Sequence, residues 1–147
     1  MSVSLYGSGN TIIQAVNNTA QTNGTYFSTS SSSLVSTGFS VTITPQSTTS
    51  KVLVMVSASC NGSSGNGEYT IYRNSTNLAT GTAPSIMTTT NSNGTGCQMV
   101  WLDSPSTTSA TTYTVYACTG SSTYFGFSSG ASNSNAISIV ALEVSGS

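Results

Sequence analysis

The sequence predicts an all-β fold, and three observations carry that prediction. Apolar residues fall into short runs rich in Val, Ile, Tyr and Phe, the residues that fit a pleated sheet. Clusters of Ser, Thr, Asn, Gly and Pro separate those runs at intervals of roughly 8–12 residues, the turn spacing of a sandwich, jelly roll or barrel. No segment places its apolar residues at helical spacing. The count is roughly eight to ten short antiparallel strands, and no repeat of about 20–50 residues points to a propeller or a solenoid. A chain of 147 residues fits one domain and can bury a core without metal or disulfide staples.

Thr11–Val16 (TIIQAV) is the first run, and the polar stretch Asn17–Thr25 after it reads as irregular. From Leu34 to Thr44 the sequence puts Phe39, Val41 and Ile43 on one face and Ser40, Thr42 and Thr44 on the other, as a half-buried strand requires. Pro45 cannot donate to a ladder, so PQSTTS is a turn. The run KVLVMVSAS is near-continuously apolar from Val52 to Val56, the pattern of a strand buried on both faces. Asn61–Gly67 (NGSSGNG) reads as a loop, after which Tyr69, Ile71 and Arg73 alternate with Thr70, Tyr72 and Asn74. A weaker run at Ser85–Thr88 precedes the strand Cys97–Asp103 (CQMVWLD), which ends at the turn Ser104-Pro105. Thr111–Cys118, Thr123–Phe127 and Ala136–Val144 complete the strands, and the poly-Ser segment Ser30–Ser33 is a loop or polar edge between them.

Charge is scarce. Two Lys/Arg (Lys51, Arg73), three Asp/Glu (Glu68, Asp103, Glu143) and no His leave little to build general acid–base catalysis, a metal site or phosphate capture. No enzyme activity and no cofactor are expected. One Lys and one Arg cannot neutralise a run of phosphates, so nucleic acid is not an expected partner. A net charge of −1 gives little repulsion between copies and favours assembly. The start, Met1 to Gly7, has no positive n-region or long apolar stretch, and no run approaches the ~20 apolar residues of a membrane span, so neither a signal peptide nor a membrane segment is expected.

Cys60, Cys97 and Cys118 lack the paired spacing of a zinc or redox site, and reduced thiols serving as small hydrophobes are the default. A Cys60–Cys118 bridge is the geometric alternative, since each ends an expected strand. Asp103 before Ser104-Pro105 suits a turn-capping carboxylate, and Glu143 alternates with Leu142 and Val144 on the last strand. Asn-x-Ser/Thr sequons at Asn17, Asn23, Asn61, Asn74 and Asn93 are what a chain this rich in Asn, Ser and Thr produces by chance.

Several segments carry a resemblance. Tyr26–Val56 (YFSTSSSSLVSTGFSVTITPQSTTSKVLVMV) resembles a module of structural and fibre proteins from tailed bacteriophages, especially marine ones. IYRNSTNL resembles its strand with an Arg before a short polar turn, WLDSPSTTSATTYTVYA its Asp-Ser-Pro turn and Tyr-bearing strand, and ISIVALEV its closing strand. The resemblance implies a jelly-roll β-sandwich similar to the globular heads of complement and tumour-necrosis-factor proteins, usually trimeric and displayed on the virion surface. Such modules often terminate long fibre proteins, whereas this chain is the module, residues 26–147, with residues 1–25 ahead of it as an attachment segment. A capsid decoration, head-fibre or adaptor protein is the expectation, with other virion proteins as partners.

Two sets of residues stand out for binding. Tyr113, Tyr116, Tyr124, Phe125 and Phe127 exceed what one thin core needs if they alternate between faces, so the outward ones are expected at a homotrimer interface. Under an alternative reading the chain is a receptor-binding module for host surface polysaccharide, and Tyr72, Arg73, Trp101 and Asp103 supply the aromatic and polar groups of a sugar site.

Overall fold

Backbone pairing sorts the chain into two antiparallel sheets packed face to face. The computed structural model describes residues 11–23, 25–63, 66–80, 85–90, 94–126 and 134–145, and every regular element among them is a β-strand. These are β1 (Ile12–Asn23), β2 (Phe27–Thr29), β3 (Val35–Ile43), β4 (Lys51–Ser63), β5 (Gly67–Arg73), β6 (Thr76–Asn77), β7 (Met87–Thr89), β8 (Thr95–Asp103), β9 (Thr111–Thr119), β10 (Ser122–Phe125) and β11 (Ser134–Val144). The described strands exceed the expected eight to ten because some ribbons are broken in two. One edge of β4 pairs with β8 from Val52 to Cys60; the other pairs with β11 up to Ser57 and with β10 from Cys60. Beyond them, β1 lies against β11 and β2 against β10. In the second sheet β6 and β7 likewise share the edge of β5 that β9 leaves open.

Joining the broken ribbons gives β1/β2, β11/β10, β4, β8 in the first sheet and β3, β9, β5, β6/β7 in the second. Successive ribbons mostly pass from one sheet to the other, an order consistent with a jelly roll. Alternation fills the space between the sheets. Phe39, Val41 and Ile43 from β3, Tyr69 and Ile71 from β5, and Tyr113, Val115 and Ala117 from β9 meet Val52, Val54 and Val56 from β4, Cys97 and Met99 from β8, and Ile137, Ile139 and Ala141 from β11. All three cysteines are buried and free, as small hydrophobes.

Several sequence expectations are corrected by tertiary pairing. Residues 12–23 belong to the sandwich: β1 pairs with β11 along its length, and Val16 and Ala20 pack on the core. The expected boundary at residue 25 therefore cuts through the fold, and residues 1–10 lie outside the described residues. The polar stretch after Val16 still forms strand because its backbone finds partners on β11, and its Asn and Thr side chains suit an edge. β4 runs through Asn61 and Gly62, which are buried, because β10 pairs with them and Tyr69 reaches them from the other sheet. β4 is not buried on both faces: Val52, Val54 and Val56 are, while Leu53 and Met55 on the outer face stay half-exposed.

Gly38 and Gly67 show why glycine sits where it does. Gly38, at φ 76°, lies in a register break between β3 and β9, where Thr37 turns inward to donate to the Val115 carbonyl at 2.8 Å. At Gly67 a Cβ would collide with the Thr123 hydroxyl and crowd those of Thr89 and Tyr69.

Glu143 is fully buried and closes the opposite corner. Gln14 donates to one carboxylate oxygen at 2.6 Å and to the Thr44 carbonyl at 2.7 Å, and the Gln46 amide donates to the other oxygen at 2.8 Å. Burial alone would push this carboxyl up, but the polar groups of Ser50, Gln14, Gln46 and Ser47 outweigh it and hold it below its ordinary value of 4.5. Its contribution is thus complete above about pH 4.5 and is lost as the pH falls through the lower folded value. Burial raises Tyr69 and Tyr113 above their ordinary 10.0, so alkali opposes folding from about pH 10 upward. Stability by urea denaturation should be flat between about pH 5 and 8 and fall on both sides. Glu143→Gln should cost about 2 kcal/mol at pH 7 and flatten the acid limb; an acid limb unchanged in that variant would assign it elsewhere.

Candidate functional site

The four residues expected to bind sugar do not converge. Arg73, at the end of β5, donates through Nη1 to both Asp103 oxygens, at 2.8 and 3.0 Å, and Tyr113 on β9 donates to Oδ2 at 2.7 Å. Asp103 closes β8 in the first sheet, so this cluster clips the two sheets together and is a structural device. The Asp103 carboxylate is not available to a ligand: it is buried and already holds two partners. Burial, then the hydrogen bond to Asp103, pushes the Tyr113 hydroxyl up and keeps it a donor. Trp101 turns inward from β8 and packs on the core. Tyr72 sits on the opposite side of β5 from Arg73, with its ring stacked on that of Tyr116 at 3.9 Å.

The expected interface aromatics also divide. Tyr113 and Phe125 are 0% exposed and cannot meet a neighbouring chain; Phe125 packs with Phe39, Tyr26 and Tyr69 in a ring cluster. Tyr116 and Tyr124 are half-buried, Tyr116 in the stack with Tyr72 and Tyr124 on β10. Phe127 lies outside the described residues. The rings alternate as the strands require, so the shared core takes Tyr113 and Phe125 while Tyr116 and Tyr124 stay on the outer faces.

A different surface is apolar. On the outer face of the first sheet, Leu142, Leu53 and Leu102 lie side by side across β11, β4 and β8, and Val140, Met55 and Val100 form the next row. Val100 is 60% exposed and Leu102 53%. The Leu142 row continues onto β1 at Ala15, whereas the Val140 row meets Asn17 there, and the exposed Ile12 pairs with Val144. Lys51 bounds one end beside Val144, and Ser57, Gln98 and Ser138 form a polar row at the other. A shallow groove of about 300 Å³ runs over Met55, Val100 and Val140 into that polar row. The signal was present in the sequence as apolar runs on both strand faces, VLVMV, QMVWL and ISIVALEV.

The second sheet is polar outside, with Ser40 and Thr42 on β3 and Thr112 and Thr114 on β9. Near its end a depression of about 630 Å³ is lined by Ser32, Ser33, Glu68, Tyr72, Cys118 and Thr119, among others. Cys118 lies 3.8 Å from the Glu68 carboxylate, and burial together with that charge raises its thiol, keeping it protonated. Among the described residues, no group of three His, Cys, Asp or Glu side chains could hold a metal ion.

No protein-family model matches the chain, and no curated protein sequence matches it. The surfaces themselves therefore carry the functional argument.

Asp103→Ala should cost about 3 kcal/mol, because it leaves Arg73 and the buried Tyr113 hydroxyl without their acceptor. Tyr113→Phe should cost about 1 kcal/mol, and the double variant less than the sum of the two, because both remove one network. Additive losses in urea denaturation would show that the clip does not act as a unit.

Proposed function

We propose that the chain is a non-catalytic structural subunit of a tailed-bacteriophage virion, a decoration, head-fibre or adaptor protein that assembles as a homotrimer. The observation that carries self-assembly is the asymmetry between the two outer faces. In the first sheet three adjacent strands are apolar outside as well as inside, whereas in the second the outward positions are mainly Thr, Ser and Tyr. Exposed contiguous apolar surface marks an interaction site. A second copy is the occupant that suits it. The face carries one charge, Lys51, at its margin, so copies approach without like charges meeting at the centre, and the net charge of −1 opposes association little.

The bacteriophage part of the proposal rests on the resemblance of Tyr26–Val56, IYRNSTNL, WLDSPSTTSATTYTVYA and ISIVALEV to virion modules. Attachment to other virion proteins at the virion surface follows from the same resemblance. Charge scarcity also suits an exposed particle: Lys51 and Arg73 are the only tryptic sites, and Arg73 is held in the Asp103 clip. A second reading, a receptor-binding module, is favoured by the depression over Glu68 and Tyr72.

Size-exclusion chromatography with light scattering should give the mass of three 14.9 kDa chains. Val100→Lys with Leu102→Lys places two charges on the most exposed apolar residues of the face, on its edge strand β8, and should yield a folded monomer, with the circular dichroism spectrum unchanged. A monomeric native chain, or an oligomer indifferent to both lysines, would overturn assembly through this face.

A further inference from the structure

Glu68 is the carboxylate without a structural task. Asp103 is consumed by Arg73 and Tyr113, and Glu143 by Gln14 and the Gln46 amide, but the hydrogen bond Glu68 makes to a described residue comes from a thiol, the weak donor Cys118 at 3.8 Å. A half-buried carboxylate in a chain with only three of them loses solvation for little return unless a ligand completes its hydrogen bonds. It lines the depression on the outer face of the second sheet, four residues along β5 from Tyr72.

The rest of that lining fits one chemistry. Tyr72 is held in a fixed orientation by its stack on Tyr116, so an aromatic wall is formed before any ligand arrives. Ser32 and Ser33, both exposed, bring hydroxyl groups to the depression, on a segment fixed by the Thr119 amide donating to the Ser31 carbonyl at 2.8 Å and by Ser31 donating to the Ser33 carbonyl at 2.7 Å. A volume of about 630 Å³ is within the range of small-molecule sites. We propose that this depression binds a neutral polyhydroxylated ligand, a pyranose ring or short oligosaccharide. Glu68 accepts from adjacent ligand hydroxyls, the Ser32 and Ser33 hydroxyls donate or accept as needed, and Tyr72 covers the apolar C–H face of the ring. Arg73, Trp101 and Asp103 take no part.

The site is independent of the assembly proposed above, since it lies on the sheet whose outer face is polar. The test is a glycan array of neutral and amine-bearing bacterial surface oligosaccharides, followed by calorimetric titration of the strongest neutral binder into the full chain. Saturable binding is expected, weakened about tenfold by Glu68→Gln, which keeps the shape but not the charge-assisted bond, and abolished by Tyr72→Ala. Thr42→Ala, on the same sheet face outside the depression, should bind as the native chain does. Light scattering on the same samples separates loss of binding from loss of assembly. Absence of saturable binding to any array oligosaccharide overturns the proposal, as does binding that survives Glu68→Gln and Tyr72→Ala undiminished. Binding confined to amine-bearing sugars and lost in Glu68→Gln overturns it in favour of a cation site.

Discussion

A buried carboxylate must be answered by donors, and in this sandwich that constraint ties the two sheets together. Asp103 ends β8 in the first sheet, and its donors, Arg73 and Tyr113, come from β5 and β9 in the second. At the other end of β5, Tyr69 crosses the same gap: its hydroxyl donates to the Tyr124 carbonyl at 2.8 Å and meets Thr123, which donates to the Asn61 carbonyl at 2.9 Å. β5 is thus latched to the opposite sheet at both ends with apolar packing between. Apolar contacts alone tolerate sliding, since they are non-directional; two directional latches fix how the sheets lie on each other. The close approach at Gly67 follows from the second latch, because Thr123 occupies the space a side chain there would need.

The scarcity of charge makes each remaining charge interpretable. Arg73 and Asp103 form the clip, Glu143 holds the turn between β3 and β4 against β1, and Lys51 stands exposed at the margin of the apolar face. Glu68 alone among the carboxylates faces a concavity. In a chain with ordinary charge content such a residue would pass as one solvated group among many.

Strand alternation made most of the fold legible. Phe39, Val41 and Ile43 face inward as their period of two requires, and Pro45 and the Ser104-Pro105 turn fall between strands. What escaped was pairing between distant segments. β1 continues past Val16 and β4 past Cys60 because β11 and β10 offer them backbone partners, which no local composition reveals. The site was legible only by type. Tyr72 offers an aromatic face in the sequence and does line the depression, but Glu68 and the Ser32–Ser33 segment come beside it through the fold, while Arg73 and Asp103 are held away from it in their own ion pair. Tyr113 and Phe125 were misplaced because which face of a strand is inward depends on register against its neighbours, and register is a tertiary fact.

The apolar run at Val52–Val56 bears on the proposed assembly. A near-continuous apolar run belongs to a strand covered on both faces, yet one chain covers only the Val52, Val54 and Val56 side. Had Leu53 and Met55 been isolated, ordinary surface statistics would account for them. They are not isolated: their neighbours on both sides, Leu142, Val140, Leu102 and Val100, are apolar too, on strands that lie far apart in sequence. Three strands carrying the same excess on the same face is the pattern that the proposed burial against further copies would require. Such packing would turn the second sheet, with Tyr72, Tyr116 and Glu68, toward solvent, so assembly on one face and recognition on the other would not compete for surface.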